Sequence, residues 1–319
     1  MHVEIVTPAP PRSHSGNRVT AERWEALLRG LGHTVAVTTA WSGLPADLLV
    51  ALHARRGAAA VRAFRQAHPG CPVVLALTGT DLYQDLPESP EAQQALQAAT
   101  ALVVLQDKAL DVLPASLHAR TRCIHQSVVG PPRRAPRSDH LEVVFLAHLR
   151  AVKDPFLVVE ALRLLPPSSP VRVTHLGAEI DPGSAQRAAR EAAGEPRYRW
   201  RGDVPRAEAL QLLADSDLLV LTSRLEGGAN VVSEALATGT PVLSTRIDGS
   251  IGLLGPDYPG YHDVGDAAGL ARLLERAADD DAFLADLAGH VAARRDMVAP
   301  ERERQAWADL LADVTHGRG

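Results

Sequence analysis

The stretch DLLVLTSRLEGGANVVSEALATGTPVLSTRI (217–247) contains two apolar runs with a helical pattern between them. The runs at 217–223 and 241–247 are typical of buried strands. A helix is predicted to begin near Ala229 or Asn230, after a loop that contains two glycines. A strand, a helix and a second strand in this order indicate a parallel sheet covered by helices.

The same alternation extends over most of the chain in two series. In 17–32, Trp24 and Leu28 recur with helical spacing, and Pro300 is expected to start a last helix over about 301–315. Strands are predicted at 2–7, 33–39, 47–53, 71–79, 101–106 and 121–128, then at 141–149, 171–177, 198–204, 217–223 and 241–247. The segment 129–140, rich in Pro and Arg, predicts a linker between two doubly wound domains, 1–137 and 138–299.

Composition narrows the classes of function. With 319 residues, of which 46% are hydrophobic, the chain is long enough for two cores, and its net charge of −5 argues against a nucleic-acid partner. The N-terminus lacks a signal-peptide pattern and no apolar run has membrane-spanning length, so we expect a cytoplasmic protein without membrane insertion. Cys71 and Cys123 are far apart, and neither a disulfide framework nor a zinc site is expected.

Ligands of doubly wound sheets bind at the carboxyl ends of the strands, so the loops after strands are the candidate sites. Gly227 and Gly228 let the backbone approach a ligand, and the helix that follows favours a phosphate at its start. Glu226 and Glu234 can each accept hydrogen bonds from the hydroxyls of a ribose or hexose. The structural alternative is that Glu226 caps the helix and Glu234 pairs with a cation.

Two cations, Arg150 and Lys153, follow the strand at 141–149 in the sequence LRAVKDP. A loop at this place can hold a diphosphate and stabilise charge on a leaving group. The structural alternative is a pair of solvated charges around a helix start.

The first half of the chain offers a second candidate anion site. The turn SGN at 15–17 precedes a helix, and the cations of 12–18 surround it. The segment 78–81 closes a buried strand. Its Asp81 could bind a sugar hydroxyl, act as a base or cap the next turn, and Gln106 and Lys108 occupy a similar place after 101–106.

Some residues and motifs are not expected to carry chemistry. His53 and His125 lie in strand-like runs and are expected to pack or to form hydrogen bonds rather than to bind a ligand. Walker and GxSxG motifs do not occur in the sequence. A GxGxxG motif is also absent, which argues against a nicotinamide dehydrogenase.

Glu226 and Glu234, spaced E-x7-E, with Arg150 and Lys153 upstream and ATGTPVL (237–243) downstream, resemble the retaining nucleotide-sugar glycosyltransferases of the GT-B fold. The resemblance covers essentially the whole chain. It implies an α/β fold of two facing, Rossmann-like, doubly wound domains with an interdomain cleft. It also implies a final helix, 300–319, that crosses back to the first domain.

The resemblance also implies roles for these residues. The two cations would hold the diphosphate, Glu226 would meet the donor sugar, Glu234 would bind the ribose, and no metal would be needed. The expected catalytic residues are Arg150, Lys153 and Glu226, and the expected donor-binding residues are Gly16, Gly202, Gly227, Gly228, Ala229, Asn230, Val231 and Glu234.

Three segments of the first half indicate a narrower family within these glycosyltransferases. Similarity to the selenosugar synthases of selenoneine biosynthesis is found in VTPAPPRSHSGNRVTAERW (6–24), LLVALHARR (48–56) and LTGTDLYQDLP (77–87). That family implies UDP-GlcNAc, or another UDP-hexose, as donor and selenophosphate as acceptor, with a 1-seleno sugar as product and no cofactor. The expected acceptor-binding residues are Arg12, His14, Ser15, Asn17, Arg18, Thr78, Gly79, Thr80, Asp81, Gln106 and Lys108.

Two other functions stay open at this point. A transferase with the same donor could use a small oxygen or sulfur acceptor, and it would need a base, for which Asp81 is the candidate. A nucleotide-sugar-binding module without turnover would show the same donor residues.

Overall fold

The computed structural model of the chain describes residues 1–13, 15–133 and 139–316. It divides into two compact units. The first unit contains Met1–Ser127, Glu226–Gly228 and the chain from Pro300 onward, and the second unit contains Val128–Leu225 and Ala229–Ala299.

Each unit is built on one parallel sheet. The strands are β1 His2–Val6, β2 Thr34–Thr38, β3 Leu48–Leu52, β4 Val73–Leu77, β5 Ala101–Val104, β6 Thr121–Cys123, β7 Leu141–Leu146, β8 Val171–Leu176, β9 Tyr198–Trp200, β10 Leu218–Leu221, β11 Val242–Thr245 and β12 Tyr261–His262. The order is β2-β1-β3-β4-β5-β6 in the first unit and β12-β11-β10-β7-β8-β9 in the second.

Helices connect these strands. They are α1 Gly16–Gly30, α2 Ala54–Ala67, α3 Pro90–Ala98, α4 Ala115–His118, α5 Leu157–Leu164, α6 Ser184–Gly194, α7 Arg206–Asp215, α8 Asn230–Thr238, α9 Asp248–Leu254, α10 Ala267–Asp279, α11 Asp281–Arg294 and α12 Pro300–His316. Short helical turns of other types lie at Asp81–Asp85, Asp107–Val112, Ala151–Lys153 and Arg295–Val298.

Every predicted strand is present, but two are much shorter than their apolar runs. The runs 121–128 and 198–204 form strands only over β6 and β9, and both strands lie at a sheet edge, where they pair on one side alone. Helix α1 ends at Gly30, two residues before the end of the helical run 17–32, and Gly32 lies in the following turn with φ of +89°. The two-residue strand β12 was not predicted, since it is too short for a periodic signal.

The first unit buries both faces of its sheet. Leu48 and Val50 of β3 belong to one core and Leu49 and Ala51 to the other, because successive side chains of a strand point to opposite faces. Helices α2 and α3 cover one face, and α1 and α12 cover the other.

The contact between α1 and α12 joins the two ends of the chain within the first unit. Trp24 and Trp307 meet edge to face with ring centroids 4.8 Å apart. Beside them Glu303, 2% exposed, accepts hydrogen bonds from Trp24 Nε1 at 2.8 Å and from the Ser127 amide at 2.9 Å, and it pairs with Arg23 at 3.1 Å. A buried carboxylate is stable only when it is paired in this way.

The second unit has one large core between its sheet and the helices on both faces. Its central strands are almost wholly buried, for example Val143–Phe145 of β7 and Leu218–Val220 of β10, as in parallel sheets covered on both sides. The predicted fold class, two Rossmann-like doubly wound parallel sheets, is confirmed. Among the described residues, the structure contains no helix with the length and apolar character that crossing a lipid bilayer requires.

Candidate active site

In each sheet, successive strands are added in one direction from a central strand and then in the opposite direction from its neighbour. In the second unit β7 continues to β8 on one side, whereas β10, its neighbour on the other side, continues to β11. In the first unit the corresponding neighbours are β1 and β3. Ligands of open α/β sheets bind at the carboxyl ends of the strands at such switch points. The loops after β7, β10, β1 and β3 are therefore the candidate site segments.

The loop after β7 is held against the end of β10. The Thr222 hydroxyl donates to the Lys153 carbonyl at 2.8 Å, and the Arg224 amide donates to the Val152 carbonyl at 2.8 Å. Arg224 Nη2 also pairs with Asp154 Oδ2 at 2.6 Å, and Asp154 has a left-handed backbone with φ of +44°. These contacts fix the backbone that carries Lys153 at the switch point.

The other end of this loop is held by the loop after β8. Asp181 accepts a hydrogen bond from the Ala151 amide at 2.6 Å, and Leu149 pairs with Ala178 through its amide at 2.8 Å. Between these contacts Arg150 is exposed, whereas Lys153 is half-buried. The two predicted diphosphate ligands therefore lie on a short turn whose backbone is anchored on both sides.

Helix α8 begins at Asn230, as predicted, and its start favours an anion. The residue before it, Ala229, is buried and has no side-chain oxygen with which to cap the helix. The carbonyl of Ala229 accepts from the amides of Val232 and Ser233 at 2.9 and 3.2 Å. The first turn carries no acidic residue in its sequence, so no carboxylate of this turn offsets the partial positive charge of the helix start.

Glu234 lies one turn into α8, where it was predicted. It is 8% exposed, and its Oε1 accepts a hydrogen bond from Arg206 Nη2 at 2.9 Å. Arg206 is the first residue of α7, and its side chain is 47% exposed. The structure therefore agrees with the structural alternative, in which Glu234 pairs with a cation, and that cation is Arg206. The role of Glu234 in binding a ribose stays a prediction. Arg206 was not identified from the sequence, where it looks like an ordinary cation at a helix start.

The loop that contains Glu226 belongs to the first unit. A Cβ on Gly227 would lie 2.4 Å from the Thr78 carbonyl oxygen, and a Cβ on Gly228 would lie 2.6 Å from Leu105 Cβ. Gly79 has φ of +139°, and a Cβ there would lie 2.8 Å from the Gly227 amide nitrogen. The structure therefore brings the predicted segments 226–228 and 78–79 together, and their glycines are required by close backbone contact.

The loop after β1 contains the predicted anion turn. Ser15 precedes α1 and Arg12 is exposed with φ of +65°. Arg18 Nε pairs with Glu22 at 2.7 Å, and the side chain is 12% exposed. Its Nη1 is buried and has no hydrogen-bond partner among the residues that the structure describes. His14, also predicted here, lies outside the described residues.

His53 follows β3 at the switch point of the first unit. Its backbone has φ of +74°, which is uncommon for a residue other than glycine and occurs often at functional sites. The imidazole Nδ1 accepts from the Arg56 amide at 3.4 Å, Nε2 lies 3.2 Å from Thr80 Oγ1, and burial lowers the pKa of His53. Its predicted hydrogen-bonding role is confirmed, but the strained backbone had no signal in the sequence.

The side chains of Asp81 and Gln106 form hydrogen bonds with other groups of the first unit. Asp81 is fully buried and accepts from the amides of Ala54, Thr78 and Gly79 at 2.9, 2.9 and 2.7 Å. The donors precede Asp81 or belong to the start of α2, so Asp81 does not cap the next turn as the structural alternative had it, and these contacts do not support a base.

Gln106 is likewise buried. It accepts from the Ala109 amide at 3.2 Å and donates to the Tyr83 hydroxyl at 2.9 Å. Its acceptor role stays a prediction that these contacts do not support. Lys108, half-buried, pairs with Asp111.

Two predicted glycines lie at the ends of regular elements. Gly16 is the first residue of α1 and is exposed. Gly202 follows β9 with φ of +75°, and its carbonyl accepts from the Gly177 amide at 2.8 Å. Gly177 itself allows no side chain, because a Cβ would lie 1.8 Å from the Ala147 carbonyl oxygen. Gly202 therefore supports the ends of β7 and β8, and its donor contact stays a prediction.

Solved structures with the same architecture were found. Sucrose-phosphate synthase from Thermosynechococcus elongatus has a TM-score of 0.78 and 15% sequence identity, over 99% of this chain and 99% of that chain. Anabaena HepE, in complex with UDP and glucose, has a TM-score of 0.76 and 17% identity, over 98% of this chain and 99% of that chain. At these identities the likeness shows the fold alone, which is that of the GT-B glycosyltransferases.

A curated relative matches over a shorter segment. The lipopolysaccharide core biosynthesis glycosyltransferase LpsE of Rhizobium meliloti (strain 1021) is 40% identical over 81 residues, which are 24% of this chain and 24% of that protein. The match therefore spans about a quarter of the relative's length. The family model described as glycosyl transferases group 1 matches residues 132–292, half of the chain. The chain belongs to the glycosyl transferases group 1 family.

Proposed function

We propose that the protein transfers a hexose, GlcNAc, from UDP-GlcNAc to selenophosphate and so forms a 1-seleno sugar for selenoneine biosynthesis. The observation that carries the proposal is the anchored turn at Arg150–Lys153, which places two cations at the switch point where α8 also begins. Two cations on an anchored turn, in the unit where α8 begins without a side-chain cap, suit a diphosphate.

The donor is assigned to the second unit. Arg150 and Lys153 contact the diphosphate, the amides of Asn230 and Val231 add hydrogen bonds, and Glu234, held by Arg206, accepts from the ribose hydroxyls. That HepE, a protein of the same fold, has been described with UDP and with UDP-glucose supports a uridine nucleotide.

The reaction requires stabilisation of a leaving group. As the bond between the sugar C1 and the diphosphate oxygen breaks, negative charge builds on UDP, and cations that are already in place stabilise it without reorganisation. The selenium of selenophosphate supplies the electron pair for the new C1–Se bond. Water then hydrolyses the Se–P bond, which releases inorganic phosphate and leaves the seleno sugar.

The contacts of the first unit favour an acceptor that is already ionised. An alcohol would need a base, but the candidate Asp81 is fully buried on three backbone amides. Selenophosphate needs an anion pocket instead. Arg18, with one guanidinium nitrogen buried and unpartnered among the described residues, supports such a pocket in the loop after β1.

A mass spectrum of the products tests the proposal. The chain is incubated with UDP-GlcNAc and selenophosphate, thiophosphate or small alcohols in parallel, and UDP release is measured. We expect UDP and a seleno-N-acetylglucosamine only with selenophosphate. Turnover with thiophosphate or alcohols but not with selenophosphate would favour the oxygen- or sulfur-acceptor transferase, and UDP-GlcNAc binding without UDP release in any mixture would indicate a binding module.

A further inference from the structure

Three side chains of different chemistry meet at the carboxyl edge of the sheet in the first unit. Cys123 ends β6, and its register partner Val104 ends β5, three residues before Asp107. Cys123 and His125 are two residues apart in extended chain, so their side chains point to the same side, whereas Ile124 between them packs into a core. The sheet thus places Asp107 beside Cys123 and His125.

Two of the distances between their polar atoms are close to the edges of a coordination tetrahedron. Cys123 Sγ lies 3.6 Å from His125 Nε2, which lies 3.7 Å from Asp107 Oδ2, and the three atoms are all within 4.8 Å of one another. Zinc bonds to sulfur, nitrogen and oxygen at about 2.0–2.3 Å, so tetrahedral ligand atoms are roughly 3.3–3.6 Å apart.

A nucleophilic triad does not explain this arrangement. Such a triad uses one imidazole nitrogen for the thiol and the other for the carboxylate. Here the same atom, His125 Nε2, faces both Cys123 and Asp107, so the three groups converge on one point.

We propose that Asp107, Cys123 and His125 bind a zinc-class divalent metal ion, with the fourth coordination position open to water or another small ligand. Thiolate, imidazole and carboxylate together suit Zn²⁺, whereas Mg²⁺ and Ca²⁺ take oxygen ligands. On binding, the thiol loses its proton to solvent. The site is separate from the residues assigned to UDP, and it does not depend on the proposed function.

Cobalt spectroscopy of the full chain tests the site directly. After treatment with a chelator, Co²⁺ is added, and we expect one equivalent to bind with a thiolate-to-cobalt charge-transfer band that Zn²⁺ abolishes. Cys123→Ser should lose the band. Cys71→Ser is the matched control, because Cys71 is half-buried in the same unit but outside the cluster, and it should keep the band.

A second variant distinguishes loss of the metal site from a failure to fold. Asp107 is exposed, so Asp107→Asn should fold normally by circular dichroism. Loss of a group that only orients a metal ligand weakens metal binding by roughly 10–100-fold. Because Asp107 is a proposed ligand itself, we expect Asp107→Asn to raise the Kd for Zn²⁺ by at least this factor. The proposal is overturned if the wild type binds no stoichiometric Co²⁺, if the two cysteine variants behave alike, or if Asp107→Asn binds Zn²⁺ as tightly as the wild type.

Discussion

At the scale of single residues, the contacts around Lys153 hold its backbone. Thr222 and Arg224 bond to the carbonyls of Lys153 and Val152, so the ammonium group is carried by a fixed turn. Preorganisation of this kind is what makes a cation effective in a transition state, since no energy is spent on moving it during the reaction.

Replacing this cation should therefore affect turnover. We expect Lys153→Ala to lower kcat for UDP release by roughly 10²–10³-fold, as loss of a preorganised donor does in other enzymes. Arg190→Ala, an exposed cation of α6 in the same unit, serves as control and should leave kcat unchanged. A Lys153→Ala variant with wild-type kcat would contradict the assignment.

Arg18 is a second single residue whose charge we expect to matter. One of its guanidinium nitrogens is buried and has no partner among the described residues. We expect Arg18→Ala to raise the KM for selenophosphate by about 10–100-fold, the effect of losing a charged hydrogen bond, with a much smaller change for UDP-GlcNAc. Glu22→Ala removes the ion pair but keeps the cation, so it should change neither value greatly. Equal effects of Arg18→Ala on both substrates would refute the acceptor assignment.

At the scale of elements, the apolar runs predicted the strands well because central strands of these sheets are buried on both faces. The strand ends were predicted less well. β6 and β9 stop early at sheet edges, and a run of apolar residues does not reveal which strand has only one neighbour. His175 of β8 also holds the strand ends, because its ring bonds to the Ala147 carbonyl after β7 and to the Tyr198 hydroxyl of β9.

His175 should make stability depend on pH. It is fully buried, with Nε2 at 2.7 Å from the Ala147 carbonyl and Nδ1 at 2.6 Å from the Tyr198 hydroxyl. Burial lowers its pKa from 6.5 to about 4. Between these pH values the unfolded chain binds the proton more tightly than the folded chain. The free energy of unfolding therefore falls as pH drops from 6.5 to 4, by about 3 kcal/mol.

Urea unfolding from pH 7.5 to 4 measures this slope. We expect His175→Gln, although less stable throughout, to show a flatter pH dependence than the wild type. His290→Gln changes a partly exposed histidine of α11 and should keep the wild-type slope. If the slopes of all three proteins coincide, the burial of a neutral His175 does not control acid stability.

At the scale of the whole chain, residues from both ends form one unit. Glu303 of α12 accepts from Trp24 of α1 and from Ser127, which are 279 and 176 positions away in sequence. Removal of one partner leaves buried groups without compensation. We expect Glu303→Gln to lower the free energy of unfolding by about 3–5 kcal/mol, as breaking other buried ion pairs does.

Denaturation midpoints followed by tryptophan fluorescence would measure this loss. The control is Glu301→Gln, an exposed acidic residue in the first turn of the same helix, which should change stability by at most about 0.5 kcal/mol. A Glu303→Gln protein as stable as the control would mean that the buried carboxylate is not needed to hold α12 on the first unit.

The sequence by itself determined where most strands and helices lie, and with them the turn that carries Arg150 and Lys153 and the helix that carries Glu234. These features are local, because hydrophobic periodicity and helix signals act within a few residues. Only the tertiary structure decided the partners: Arg206 beside Glu234, Asp81 on the Ala54 amide, and Asp107 beside Cys123 and His125. The order of strands in each sheet makes distant segments into neighbours, and that order is set by packing rather than by any local pattern.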